Sequence, residues 1–351
     1  MEVVKTKRNH LLDIARIVAV LSVVLIHCSA AFVTGYKPHT SEFFFGSLFD
    51  TVARAGVPLF LMISGSLFLD ENKVITLKSV MAKYLINLVV ITIVWAAVYS
   101  MLYNVLFPLM TGEPISIKNF ILDMVNGHYH MWYLYMIMGL YIITPFLKKF
   151  VCRENTDLVL FFIVISFAAQ VLFPAIDKIC IRYFEIDFIG TWIDKFYLDF
   201  FGGYITYYLL GWYIVHVGVK QKHLKVIIYF LSLVSLLGTI FYINTTGDYE
   251  TPYENLSVFV FIYSLGLFLA INSIKTTFKE RTLQTLEKLS KLTFGVYIIH
   301  VIVLSFFRKL LPYSGHSAVY LVVCFTAVVC ASFIGSYVIS KIPVLRKLIR
   351  A

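Results

Sequence analysis

A chain of 351 residues that is 60% hydrophobic and 14% charged, with mean hydropathy +0.83, is too apolar for a soluble globular protein. Its net charge of +10 falls mostly in the short segments between apolar runs, a topology signal that excludes a nucleic-acid footprint as its cause. Cys28, Cys152, Cys180, Cys324 and Cys330 are scattered, so neither a disulfide framework nor a zinc spacing emerges.

Apolar runs near the length of a bilayer crossing predict about ten spans, at 11–33, 47–69, 80–107, 131–147, 157–175, 198–218, 224–244, 255–272, 293–311 and 317–341. Alternation of period two is absent, so each run is expected to cross as a helix that satisfies its own backbone in lipid. The fold class expected is all-α and polytopic, one transmembrane domain over 1–351 with no appended soluble domain. With the N-terminus inside, inner segments hold 21 Lys and Arg and outer loops seven, so both termini are expected in the cytoplasm.

The first run, Leu11 to Val33, follows Lys5, Lys7 and Arg8 as a signal peptide would, but its length and an internal arginine argue against cleavage. An arginine within a membrane is costly unless it faces protein or a water-filled interior, so Arg16 reads as functional. His27 stands eleven residues later. Eleven helical residues make three turns plus roughly 20° and rise roughly 16 Å, which puts both side chains on one face at two depths. Two plainer readings stay open: Asp13 merely neutralises Arg16 as an i,i+3 pair, and His27 is a helix-to-helix hydrogen bond.

The second run places Arg54 near the depth of His27 and Ser64 near that of Arg16. If these spans are neighbours, two tiers form, with no carboxylate expected at the outer one; such a surplus of positive charge calls for an anionic ligand. Pro58 removes a helical hydrogen bond and Gly56 and Gly65 permit close approach, so a bend is expected here. His130, Trp132 and Tyr133 lead from an outer loop into the fourth run, as acceptor-binding groups or as interface aromatics. The run 198–218 carries Gly202, Gly203, Tyr204 and further tyrosines, suited to helix packing or to a sugar site. His300 lies inside the ninth run, where an ionisable group needs a reason.

Together these features resemble the acyltransferase-3 family of integral membrane proteins, nearest to the enterobacterial common antigen O-acetyltransferase type. The resemblance rests on Arg16 and His27 with ten residues between them, and on Arg54, Gly56, Val57, Pro58, Leu59, Phe60, Ser64 and Gly65 of the second run. His130, Trp132, Tyr133 and Leu134 and then Gly295, Tyr297 and His300 add weaker elements in the same order along the chain. One departure is Asp13-Ile-Ala-Arg16-Ile, where many members have Asp-Gly-Leu-Arg-Gly.

The resemblance implies transfer of an acyl group, usually acetyl, from cytoplasmic acyl-CoA to a hydroxyl of an extracytoplasmic or lipid-linked glycan. It places the chain in a bacterial cytoplasmic membrane, with acyl-CoA as donor substrate and neither a metal nor a permanently bound cofactor. Under that reading Arg16, with Ser64 and Asp13, binds the donor, His27 is the general base, and Arg54 stabilises the oxyanion or orients His27. His130, Trp132, Tyr133 and Tyr204 receive the acceptor, and His300 is a further candidate. No motif announces a serine nucleophile, so direct transfer is expected, with Ser64 the candidate if an acyl-enzyme forms. The alternative is a transporter or flippase of lipid-linked saccharide or acyl groups, which the absence of repeated halves disfavours; a structural or sensory membrane protein is the third reading.

Overall fold

Helices start where the chain supplies caps: Asn9, Thr40, Ser116 and Ser257 each turn a side-chain oxygen onto a backbone N–H of the following first turn. The structure, a computed structural model, describes residues 8–186, 189–196, 202–275, 277–313 and 315–350. Its helices are α1 (His10–Gly35), α2 (Ser41–Ala53), α3 (Gly56–Phe68), α4 (Leu77–Thr111), α5 (Ile117–Asn126), α6 (Trp132–Phe150) and α7 (Arg153–Phe184). They continue with α8 (Ile189–Lys195), α9 (Gly203–Trp212), α10 (Lys222–Thr246), α11 (Val258–Asn272), α12 (Glu280–Ser290), α13 (Thr293–Leu310) and α14 (Ser317–Lys341). Among the described residues there is no strand, and nine helical segments are long and apolar enough to cross a membrane. The protein is an all-α polytopic membrane protein.

Residues 198–201, the start of the predicted sixth span, lie outside the described residues. The rest of that run is α9 extended by a π turn, Tyr213–Val217, together about 22 Å long. The interval 108–130, read as an external gap, contains the short helix α5, and Gly127 at φ 74° turns the chain from α5 toward α6.

The second run is broken rather than merely bent. Its halves α2 and α3 meet at Arg54–Ala55, where Arg54 N–H reaches back only three residues, to the Thr51 carbonyl at 3.2 Å. Pro58 explains the position, because an α-helix would need its missing N–H to bond the carbonyl of Arg54. The side chain of Arg54 therefore sits at a joint.

At the heart of the bundle α1 packs on α2, α3, α11, α13 and α14. Beside it α3 and α9 touch backbone to backbone: a Cβ on Gly65 would overlap the Tyr208 carbonyl, and one on Gly211 would overlap that of Met62. Only glycine permits this approach. On the other side Tyr99 of α4 donates a 2.7 Å hydrogen bond to the Ile298 carbonyl of α13, and Trp95 donates one of 2.9 Å to the Leu348 carbonyl. Arg8, Ile349 and Arg350 line one cavity, so the two ends of the described chain share one end of the bundle. That end is basic.

Candidate functional site

Arg16 stands where three cavities meet at the basic end. One, of about 320 Å³, runs into the bundle between α3, α6 and α13, with Arg16 and Lys73 at its mouth and Ser64, Tyr141, Tyr133 and Tyr297 along its walls. A second, also about 320 Å³, brings Arg8, Asp13 and His216 to Arg16, and a third, about 410 Å³, adds Lys291 and Arg350. Arg16 and Ser64 thus share a cavity wall, as their depths predict. Asp13 is almost fully buried and accepts a forked pair from Arg8, at 2.8 and 2.7 Å, besides lying 3.4 Å from Arg16. A carboxylate so engaged fixes cations in place; it is a poor direct partner for an anionic donor. Lys73, in the turn after α3, has its ammonium held below the usual lysine range by burial and by the Arg16 charge, with Asp70 opposing.

Beyond Tyr133 and Tyr297, whose ring centroids are 5.7 Å apart, lies a cluster of imidazoles. The His27 ring, on α1, is 5.0 Å from that of His300 on α13, 6.4 Å from that of His130 and 5.4 Å from the ring of Tyr129. His130 sits on the 3₁₀ turn Tyr129–Met131 that opens into α6; its carbonyl accepts the Tyr297 hydroxyl at 2.8 Å. The cluster is ordered by tautomer. His300 Nδ1 lies 2.6 Å from the Tyr297 carbonyl, which can only accept, so Nδ1 carries the hydrogen and Nε2 is a bare acceptor. That Nε2 is buried without a partner, as is Nε2 of His130, whose Nδ1 is 3.1 Å from Nδ1 of His128. Among the described residues no protein group hydrogen-bonds the His27 ring, which leaves its nitrogens without a protein partner.

Arg54 comes near this cluster without entering it. Its guanidinium pairs with Asp50 one helical turn earlier on α2 and lies 3.9 Å above the Tyr253 ring. The expectation that the second tier lacks a carboxylate is therefore corrected: Asp50 is fully buried there. The i,i+4 spacing of Asp50 and Arg54 was the signal for it. Arg54 Nε remains buried with no partner.

The profile of the acyltransferase-3 family, described as an acyltransferase domain, matches residues 9–341. The chain belongs to that family. Comparisons with curated proteins and with solved structures find no match. The chain is thus a membrane acyltransferase, and both the arginine–histidine pair of α1 and the joint at Arg54 fall within the matched region.

In this acyltransferase the residues expected at the acceptor mouth do not share one surface. His130 is buried inside the imidazole cluster. Tyr133 lines, together with Ser64 and Arg16, the cavity at the basic end. Trp132, 39% exposed, turns instead to Tyr204, with ring centroids 6.0 Å apart. One residue along a helix is about 100° of rotation, so Trp132 and Tyr133 cannot serve the same site. Three residues of this region escaped notice in the sequence. Tyr129, 60% exposed, brings the His27 ring into contact with the surface. Lys73 looked like one more basic residue of a short loop. Arg308 was counted with the outer loops, yet its Nη2 reaches the carbonyls of His27 and Cys28, at 2.9 and 3.4 Å. A single sequence gives no sign of that contact, because it depends on how α13 lies against α1.

Proposed function

We propose that this acyltransferase moves an acetyl group from acetyl-CoA, entering at the basic end, to a hydroxyl of a saccharide that approaches from the opposite end. The observation that carries this reading is a cavity lined by guanidinium and ammonium groups at the basic end, with imidazoles on the far side of its wall tyrosine Tyr297. Coenzyme A has matching parts: phosphates that need cations, and a slender arm ending in the reactive thioester. Arg16 and Lys73 would hold the phosphates while the arm lies along Phe60, Tyr133 and Tyr297, which line the cavity. The excess of Lys and Arg at this end supports a cytoplasmic location for it and for both termini.

In the transfer, His27 takes the proton of the acceptor hydroxyl as its oxygen attacks the thioester carbonyl. Collapse of the tetrahedral adduct breaks the carbon–sulfur bond, and the departing thiolate receives that proton from His27. The guanidinium charge of Arg54, which acts on His27 from beside the cluster, is suited to the negative oxygen that forms in between. Direct transfer is favoured over an acyl-enzyme, since Ser64 is grouped with Tyr133 and Arg16, neither of them a base, and not with the histidines. The resemblance to enterobacterial common antigen O-acetylation makes a lipid-linked or surface glycan the acceptor class.

Purified protein should turn over labelled acetyl-CoA, by hydrolysis or by exchange with free CoA, and cells lacking it should lose acetyl groups from a surface glycan by mass spectrometry. Saccharide translocation with no turnover of acetyl-CoA would instead establish a flippase. The donor site should also respond to pH. Because burial holds Lys73 below the ordinary lysine value of about 10.4, its charge is lost earlier than an ordinary lysine's as pH rises. The KM for acetyl-CoA should therefore climb on the alkaline side, whereas Lys73→Arg, which stays charged, should hold it level. A Lys73→Arg enzyme whose KM climbs as steeply as the wild type's places the titrating group elsewhere.

A further inference from the structure

Arg308 is a cation at membrane depth without a counter-ion. Arg16 has Asp13 at 3.4 Å, Arg54 has Asp50, and Arg182 has Asp248 at 3.6 Å, but among the described residues no carboxylate lies within ion-pair distance of Arg308. Its place is defined all the same. It belongs to the last turn of α13, two turns beyond His300, and its Nη2 bonds the carbonyls of His27 and Cys28. That level is roughly 10 Å short of the far end of α1. Nη2 is thus committed to α1, while Nε and Nη1 have no protein partner and, unlike Nε of Arg54, are not enclosed.

The surroundings are those of a saccharide site. Ser305 lies one turn before Arg308 on α13, and the Tyr320 ring is 6.0 Å from that of Phe307, the residue next to Arg308. Tyr103 is hydrogen-bonded to Ser305, Tyr129 covers His27, and the Tyr320 ring stands 5.3 Å from Tyr313 and 5.9 Å from Phe32. Aromatic rings with hydroxyls at their edges, of the kind that stack on sugar rings, thus flank the helical turn that carries a guanidinium with free donors in a fixed fork.

We infer that Arg308 binds an anionic group of the acceptor, so that the acetylated saccharide carries a phosphate or a carboxylate close to the hydroxyl that His27 deprotonates. This rests on the acetyl-CoA-to-saccharide reading above and narrows it to acidic acceptors. An anionic oxygen pair is the partner that a guanidinium fork recognises best, and it would neutralise a charge the protein itself leaves open. Both sources of the anion, a phosphate-linked saccharide and a uronic acid, present that chemistry.

The test uses the full-length enzyme in maltoside micelles, which offer no lipid phosphate, with acetyl-CoA and three matched acceptors: phosphorylated, uronate-bearing and neutral. The wild type should prefer at least one of the acidic acceptors, and which one identifies the source. In Arg308→Gln the ratio of kcat/KM for that acceptor over the neutral one should fall by about 10- to 100-fold, the worth of a charge-assisted hydrogen bond, with the KM for acetyl-CoA little changed. Arg308→Lys, which keeps the charge, should retain part of the preference and thereby separates charge loss from misfolding. A wild type indifferent to acceptor charge overturns the inference. So does an Arg308→Gln enzyme slowed equally on all three acceptors, which would make Arg308 a brace for His27 alone. Wild-type enzyme that acetylates no saccharide of any charge would overturn the broader reading as well, a result distinct from both.

Discussion

His27→Ala is expected to lower acetyl transfer by about 10²- to 10⁴-fold, the range that a positioned general base supplies, while the protein inserts and unfolds like the wild type. The ring makes no hydrogen bond within the described protein, so its removal leaves no donor, acceptor or charge unpaired. Its neighbours His300 and Tyr129 touch it only through ring contacts, at centroid distances of 5.0 and 5.4 Å. The Arg308 contact is to the His27 main chain and survives the change. Assay of detergent-purified variant against labelled acetyl-CoA and an acceptor glycan, with thermal unfolding in parallel, checks both halves. Transfer at the wild-type rate by a well-folded His27→Ala protein would remove the base assignment. Loss in His300→Ala with His27→Ala still active would move it to His300.

Arg54→Ala is expected to do the reverse and cost the fold about 3–5 kcal/mol, because it strands the fully buried Asp50 carboxylate. The pair sits at the α2–α3 joint, where the backbone is already short of one hydrogen bond, and Arg54 also covers the Tyr253 ring. Neutralising both partners together, in Asp50→Asn with Arg54→Gln, should recover most of the stability, since no unpaired charge is left behind. Transfer by this double variant should stay low, as the guanidinium charge assigned to the oxyanion is gone. Unfolding midpoints of the three proteins test the first expectation. Wild-type transfer by the double variant would reduce Arg54 to a structural partner of Asp50.

The α1 helix was the most legible part of the sequence, because eleven residues on a 3.6-residue helix leave Arg16 and His27 little freedom in relative azimuth or depth. A disturbance near Pro58 was readable too, since a missing N–H acts locally, but as a bend and not as the break that is found. Three-dimensional neighbours were not. The gathering of His130 and His300 about His27 depends on how α13 and the turn before α6 lie against α1. The span assigned to residue 132 says nothing of the 100° that separates its side chain from that of residue 133. Asp50 is a different case: it lay inside the predicted second span, four residues before Arg54, and only its inward direction, which depends on packing, was hidden.

The two tyrosine rings between the cavity and the histidines bear on the cell's energy supply. A polar passage lined from Arg16 to His27 would, if continuous, let protons run down the membrane potential, and every idle enzyme would drain it. Tyr133 and Tyr297, with the Tyr297 hydroxyl tied to the His130 carbonyl, put an aromatic partition across that route. An ion or hydronium would have to shed its water to pass such rings, at great expense in free energy. On the acetyl-CoA reading, the donor arm must part these rings to bring its thioester to the histidines, and it fills the opening while it stays. Insulation and delivery are thus performed by the same two side chains.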